Sequence, residues 1–195
     1  DLSILKPIKN KKIIFRKKLK IKKEVPIIGM VARYTQKKDH GNLLNALSLI
    51  RSKNIKFFCI LVGPGNNKKN LDLMSKIKKL GLNNSIKLLG SKSDITHVMN
   101  WMDIYIQSSK YGEGFPNVVA EAMACGTPCV ATDVGDAAFI IGKTGFVVHP
   151  DNSFKLSRAI ERMIKEINKK NWNKKKNQPR LRIKNNFDIN IMIKS

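Results

Sequence analysis

The chain has 195 residues, enough for one α/β core, and its 38 basic against 14 acidic residues give a formal charge of +24. Three scattered cysteines without CxxC spacing exclude a disulfide-stapled secreted fold and indicate a reducing, cytoplasmic setting. No apolar run approaches the ~20 residues of a membrane-spanning helix. The charge admits a phosphorylated ligand, nucleic acid or an anionic membrane surface as partner, and it equally fits solvated lysines spread over every exposed face.

Along the chain, residues 1–25 are basic and irregular, apart from a weak helical stretch around residues 15–19, and we interpret them as an interdomain linker. From residue 26 to residue 170, short apolar runs of buried-strand length alternate with segments of helical periodicity. The predicted strands are residues 27–32, 57–62, 86–89, 104–107, 129–132 and 146–148. The predicted helices lie around residues 43–50, 73–80, 95–101 and 116–124, with a last amphipathic helix after Asp151. Residues 171–195 form a basic C-terminal segment.

This alternation predicts an α/β fold, with a doubly wound, Rossmann-like parallel sheet whose two faces are covered by helices. Ligands of such sheets bind at the carboxyl ends of the strands. The loops that follow the first, second, third, fourth and fifth predicted strands are therefore the candidates for a functional site.

The loop after the fourth predicted strand, residues 108–117, is rich in small residues and runs directly into a helix. A glycine-containing approach to a helix N-terminus is an anion site, so a phosphate can sit against Gly114, Phe115 and Asn117. Glu113 lies just outside this helix and Glu121 lies inside it, about 7 Å further along the axis than the helix start. Taken singly, each glutamate is more simply an ordinary solvated acid. Together they can address different parts of one elongated ligand.

Residues 113–121 form a string of two glutamates separated by seven residues, and the sequence EAMACGTP follows from Glu121 onwards. This string resembles the E-x7-E signature of the retaining GT-B glycosyltransferases in the glycosyl transferases group 1 family. The resemblance extends from about residue 27 to about residue 164. It implies that the chain is the C-terminal, donor-binding half of a GT-B glycosyltransferase.

The resemblance also implies a nucleoside diphosphate sugar as donor, with its diphosphate gripped by Arg33 and Lys38. Both side chains follow the first predicted strand, where a guanidinium and an ammonium can neutralise a departing diphosphate. No DxD carboxylate pair occurs in the sequence, so we expect neither a metal nor another cofactor.

The family assigns Glu121 to the ribose hydroxyls of the donor, which places Glu113 near the sugar itself. There Glu113 can stabilise positive charge developing at the anomeric carbon. The remaining expected donor-binding residues are Gly114, Phe115, Pro116, Asn117 and Val118. A hydrolase with two opposed carboxylates is the competing chemistry, but it predicts acids that flank a cleft rather than a phosphate-binding helix start.

The sequence departs from the family in lacking the N-terminal domain that binds the acceptor. We therefore expect the chain alone to be inactive, and we interpret residues 171–195 as a truncated crossing helix. Where relatives often carry an acid, this chain has Phe139, which weakens the resemblance in that loop.

The leading hypothesis is retaining, metal-independent transfer of a sugar to a glycan or lipid-linked acceptor in cell-surface polysaccharide or glycolipid synthesis. A first alternative is a domain that binds nucleotide sugars without transferring them. A second is a basic nucleic-acid-binding domain, but no motif that reads RNA or DNA occurs, so no nucleic acid is expected. A further interpretation is that the lysines guide the enzyme peripherally onto anionic lipid at the inner face of the membrane.

Overall fold

The computed structural model describes residues 1–187, and its centre is one sheet of six parallel strands. The sheet order is β3-β2-β1-β4-β5-β6. The strands are β1 (Ile27–Val31), β2 (Phe58–Val62), β3 (Ile86–Gly90), β4 (Ile104–Gln107), β5 (Cys129–Thr132) and β6 (Phe146–Val148). The predicted doubly wound parallel sheet is confirmed. Strand order reverses between β1 and β4, and the crevice outside such a switch point is where these sheets bind ligands.

Helices cover both faces of the sheet, as the near-continuous apolar strands require. They are α1 (Lys11–Leu19), α2 (His40–Ser52), α3 (Leu71–Lys79), α4 (Ile95–Met99), α5 (Asn117–Ala124), α6 (Ala137–Ile141), α7 (Ser153–Ile167), α8 (Trp172–Lys175) and α9 (Gln178–Asn186). None of the helices in the described part of the chain is long and apolar enough to cross a bilayer.

The two faces of the sheet form two separate cores because successive strand residues point in opposite directions. Ile28 and Leu61 pack with the apolar sides of α2, α3 and α7, whereas Ile27 and Ile60 pack with those of α4, α5 and α6. This sandwich holds the carboxyl ends of β1 and β4 side by side, which positions the loops that follow them.

Helix α1 is longer and more firmly anchored than the weak helical stretch expected inside a linker. Its Phe15 ring stacks on Trp101, with 4.4 Å between the ring centroids and 5° between the ring planes. Arg16 donates hydrogen bonds to the carbonyls of Lys22 at 2.8 Å and Val25 at 2.7 Å. Tertiary contacts therefore fix a helix for which the local sequence gives only a weak signal.

Helix α6 was not predicted, whereas α8 and α9 lie within residues 171–195, the segment expected to hold a truncated crossing helix. Helix α9 packs on α5, and its Arg180 donates hydrogen bonds to the carbonyls of Leu5 and Ala124. Residues 178–186 thus tie the N-terminal segment to the end of α5. The remainder of the expected crossing helix, residues 188–195, lies outside the described residues, so that interpretation stays a prediction.

Candidate functional site

The loop between β1 and α2 carries Lys38 to the carboxyl edge of the sheet. Asp39 adopts a left-handed conformation, with φ 45°, and its carboxylate caps α2 by accepting from the N–H of Asn42 at 2.9 Å. The Ser108 hydroxyl lies within hydrogen-bonding distance of the carbonyls of Lys38 at 3.0 Å and Asp39 at 2.9 Å. The β1 loop is therefore locked to the loop that follows β4.

Lys38 and Glu113 form the ionic centre of this edge. The ammonium of Lys38 lies 2.5 Å from Oε1 of Glu113, and the Ser109 hydroxyl donates to the same oxygen at 2.6 Å. The side chains are 21% and 9% exposed, so water screens the pair only partly. The structure thus joins two residues that lie 75 positions apart, both of which the sequence marked as site residues.

Residues 132–136 support the backbone on either side of Glu113. The N–H of Asp136 donates to the carbonyl of Gly114 at 2.9 Å, and the Thr132 hydroxyl donates to the carbonyl of Ser109 at 2.6 Å. Gly135 has φ +58°, and a Cβ at this position would lie 2.2 Å from the Gly114 oxygen. Only glycine fits this contact, so the turn around Gly114 is set by close backbone packing.

A cavity of about 190 Å³ opens beside the ion pair. Its walls combine polar side chains of the two loops with the start of α5, and its floor is formed by the ends of β1 and β4. The lining includes Met30, Lys38, Tyr105, Gln107, Ser109, Glu113, Phe115, Pro116, Asn117 and Val118. This volume is below the ~300–1,000 Å³ of most small-molecule sites, so the cavity can hold only part of a large ligand.

Larger grooves of about 480, 600 and 590 Å³ occur elsewhere, but they lie away from this edge. Two open at the amino ends of the strands, and one follows the outer edge of β6. Size alone therefore does not identify the site. The smaller cavity is favoured because it lies at the switch point and contains the paired acid and base.

Helix α5 begins at this cavity, which brings the N-terminal end of its dipole to the site. Pro116 occupies the cap of the helix rather than its first turn, and the side chains of Asn117 and Val118 line the cavity. Glu121 lies one turn further on and is half-buried. Its burial raises the pKa of the carboxyl group above the ordinary value.

Arg33 lies in the same loop as Lys38, but its side chain is exposed and does not line the cavity. The structure therefore brings Lys38, Glu113 and the turn around Gly114 together, and it leaves Arg33 on the same edge without contact to them. Three supporting residues, Ser109, Thr132 and Gly135, were not assigned a role from the sequence. Ser109 and Gly135 do lie in the loops after the fourth and fifth predicted strands, which the strand pattern indicated as candidates.

His40 lies directly behind the Lys38 loop and is 2% exposed. Its ring packs against Tyr34 at 4.8 Å between centroids, and neither ring nitrogen has a hydrogen-bond partner within residues 1–187. Burial lowers the pKa of this imidazole to about 4. The ring is therefore neutral at physiological pH.

Within the described residues, no three His, Cys, Asp or Glu side chains come together as metal ligands would. Glu113 instead pairs with Lys38. Whether catalysis proceeds without a metal stays a prediction.

A doubly wound sheet whose switch point carries a glycine-containing loop leading into a helix is an architecture of nucleotide-binding domains. The sequence profile of the family described as "Glycosyl transferases group 1" matches residues 11–179. The chain belongs to this family.

Curated relatives agree with this assignment. The chain is 32% identical over 107 residues to the putative glycosyltransferase EpsF of Bacillus subtilis, which covers 55% of the chain and 27% of that protein. It is 28% identical over 158 residues to the N,N'-diacetylbacillosaminyl-diphospho-undecaprenol alpha-1,3-N-acetylgalactosaminyltransferase of Campylobacter jejuni, which covers 80% of the chain and 40% of that protein. The chain thus spans less than half the length of these two relatives.

Solved structures of similar fold include a glycosyltransferase from Rickettsia africae, with a TM-score of 0.86 and 29% identity, covering 100% of this chain and 52% of that one. HepE from Anabaena, solved in complex with UDP, has a TM-score of 0.86 and 26% identity over 98% of this chain and 52% of its own. The C-terminal domain of LpcC from Francisella tularensis was solved by itself. It shares the fold at a TM-score of 0.78 and 22% identity, with 97% of this chain and 98% of that one covered.

Proposed function

We propose that this chain is the donor-binding domain of a retaining glycosyltransferase, which transfers a sugar from a nucleoside diphosphate sugar to a glycan or lipid-linked acceptor. The acceptor would be bound by a further, N-terminal domain. The observation that carries the proposal is the Lys38–Glu113–Ser109 cluster, which lies against the turn that starts α5. The UDP bound to HepE supports a nucleotide as the ligand.

The diphosphate is assigned to the cavity between Lys38 and the start of α5. Its negative charge would be neutralised by the ammonium group and by the N-terminal end of the helix dipole. Arg33 is exposed at the same edge, and a side-chain rotation would bring its guanidinium towards the outer phosphate oxygens. The protein would thus supply the positive charge that a metal supplies in other transferases.

Glu113 is assigned to the sugar and Glu121 to the ribose. In the free protein Glu113 is held by Lys38 and Ser109, so an arriving diphosphate would compete with Glu113 for the ammonium. Once displaced from Lys38, the carboxylate can accept hydrogen bonds from sugar hydroxyls and stabilise positive charge at the anomeric carbon. The bond from the anomeric carbon to the phosphate oxygen would then break and leave its electron pair on the departing nucleoside diphosphate. The acceptor oxygen would bond to the same face of the sugar, and its proton would pass to that diphosphate.

Calorimetric titration of the chain with UDP, GDP and ADP tests the binding step. We expect at least one nucleotide to bind, and Lys38→Ala to weaken its affinity about tenfold to a hundredfold through loss of a charge-assisted hydrogen bond. Lys68→Ala is the matched control, because Lys68 is an exposed lysine in the loop after β2 and outside the cavity lining. Absence of nucleotide binding by folded protein would overturn the proposal.

A domain that binds nucleotide sugars without transferring them is the remaining alternative at this site. It predicts the same titrations but no turnover when the chain is joined to an acceptor domain. Transfer assays on such a two-domain protein, with Glu113→Gln as the control, separate the two functions.

A further inference from the structure

The outward face of α1 combines two exposed isoleucines with two exposed lysines. Ile13 is 54% exposed and Ile14 is 61% exposed. Lys17 and Lys18 follow one helical turn later, so each isoleucine lies beside a lysine on the helix surface. Large aliphatic side chains in water are unfavourable, and here two of them are adjacent.

The contacts on the inner side of α1 explain why these isoleucines remain outside. Phe15 is buried against Trp101, and Asp103 binds both Arg16 at 2.5 Å and Lys12 at 2.8 Å. These contacts fix the rotation of the helix about its axis. The isoleucines therefore cannot turn inward without breaking the stack and both ion pairs.

A groove of about 590 Å³ continues this surface beyond the end of α1. Its lining contains four cationic side chains and no acidic one, above an apolar floor that includes Ile21, Ile55 and Phe57. The cations are Lys20, Lys22, Arg51 and Lys56. None of these four takes part in an ion pair with residues 1–187. Glu24, the exposed acid nearest in sequence, lines a different cavity.

This surface lies at the amino ends of the strands, on the edge opposite the candidate functional site. Asp103, which holds α1, also accepts a hydrogen bond from the N–H of Ile27 at the start of β1. Residues 57 and 85, which line the groove, precede β2 and β3. A partner bound here would leave the cavity beside Lys38 and Glu113 open.

We propose that the outward face of α1 and the adjoining groove form a docking surface for an anionic lipid membrane. Lysines near such a surface each strengthen binding about fivefold, and adjacent aliphatic side chains insert at the boundary between headgroups and acyl chains. The isoleucines favour lipid over nucleic acid as the partner, because aliphatic side chains gain little binding energy from contact with a phosphate backbone. The proposal is independent of the proposed function, since it uses none of the residues of that site.

Vesicle flotation with the 195-residue chain tests the proposal. We expect binding to vesicles of phosphatidylglycerol mixed with phosphatidylcholine, and little binding to phosphatidylcholine alone. Lys17→Glu with Lys18→Glu should reduce the partition coefficient about tenfold or more. Lys68→Glu with Lys69→Glu is the matched control, because it makes the same charge change at exposed lysines of the opposite edge and should leave partition within about twofold.

A second variant tests the apolar part without altering charge. Ile13→Ser with Ile14→Ser should also weaken vesicle binding severalfold, while circular dichroism confirms that α1 and the sheet remain folded. Unchanged partition in this variant, equal loss in the Lys68 and Lys69 control, or no binding to anionic vesicles would overturn the proposal. Binding of a single-stranded RNA oligonucleotide that depends on Lys17 and Lys18, without vesicle binding, would assign the surface to nucleic acid instead.

Discussion

The two edges of the sheet use the same abundant cations in opposite ways. At the carboxyl edge, Lys38 is paired with Glu113 inside a loop fixed by Ser109 and Gly135. At the amino edge, Lys17 and Lys18 project into solvent beside exposed isoleucines. A net charge of +24 therefore does not by itself indicate where a site lies. A charged side chain held in an ion pair by a fixed loop indicates a small ligand. Exposed charged side chains beside exposed apolar ones indicate a partner with an extended surface.

The largest expected effect comes from substituting Gly135 at the carboxyl edge, with Gly126 at the amino edge as the comparison. Gly135→Ala places a Cβ 2.2 Å from the Gly114 oxygen and should displace the turn around Gly114. Nucleotide affinity should therefore fall about a hundredfold. Gly126→Ala, at the amino edge, has a similar positive φ of +81°, but the nearest atom is Cγ of Pro7 at 3.4 Å. It should cost about 1–2 kcal/mol in unfolding free energy and leave nucleotide binding unchanged.

Calorimetry and denaturant unfolding on both variants check this prediction. Equal losses of affinity would mean that left-handed backbone strain, and not contact with the Gly114 carbonyl, controls the site. The two edges would then respond to a glycine substitution in the same way.

The next effect concerns the buried histidine behind the Lys38 loop. His40 has a pKa of about 4 in the fold against 6.5 for the free side chain, so the unfolded chain takes up a proton first as the pH falls. The fold should therefore lose about 3 kcal/mol of stability from this group between pH 6.5 and pH 4. His40→Leu should abolish that part of the pH dependence.

Denaturant unfolding at pH 7 and at pH 4 measures the difference between the wild type and His40→Leu. The carboxylates titrate in both proteins and cancel in this comparison. If both proteins lose the same free energy, the imidazole is not the acid-sensitive group of the carboxyl edge.

A smaller effect is expected at Glu121, where burial raises the pKa of the carboxyl group. The folded protein holds this proton more readily than the unfolded chain, so the group lowers stability as the pH rises above the pKa of the unfolded state. Glu121→Gln should therefore raise the Tm at pH 7 and have no effect on it well below pH 4. The same variant should weaken nucleotide binding, because it removes the carboxylate proposed to bind the ribose.

Thermal unfolding across this pH range, with UDP titration at pH 7, checks both halves of the prediction. A lower Tm at pH 7 would show that Glu121 has a stabilising partner. It would then belong to the packing of α5 rather than to a binding surface.

Much of the carboxyl edge was predictable because its elements are local. The apolar runs 104–107, 129–132 and 146–148 were predicted with their observed bounds, and their alternation with helices implied the parallel sheet. The string of residues 113–121 indicated the loop that lines the cavity, and the loop after the first strand supplied Lys38, while their role in binding stays a prediction. Each of these inferences needed only short-range periodicity or a contiguous motif.

The support of the site was not predictable, because it depends on contacts between distant segments. Nothing near Gly135 in the sequence indicates that the Gly114 carbonyl lies against it. The orientation of helix α1 also depends on distant segments, since Asp103 and Trp101, about 90 residues away in the sequence, fix its rotation. The exposed isoleucines follow from that rotation, so the amino-edge surface emerged only with the structure.

Lys38 and Glu113 are proposed to belong to a nucleotide site in which the carboxylate of Glu113 holds the ammonium of Lys38 until a diphosphate arrives. Titration of Glu113→Gln with UDP, or with whichever nucleotide binds the wild type, tests it most directly. We expect binding about tenfold tighter than in the wild type, because the ammonium is released and a negative charge beside the diphosphate is removed. Weaker binding, comparable to that of Lys38→Ala, would mean that Glu113 does not compete with the diphosphate for Lys38 and that the ion pair is a purely structural contact.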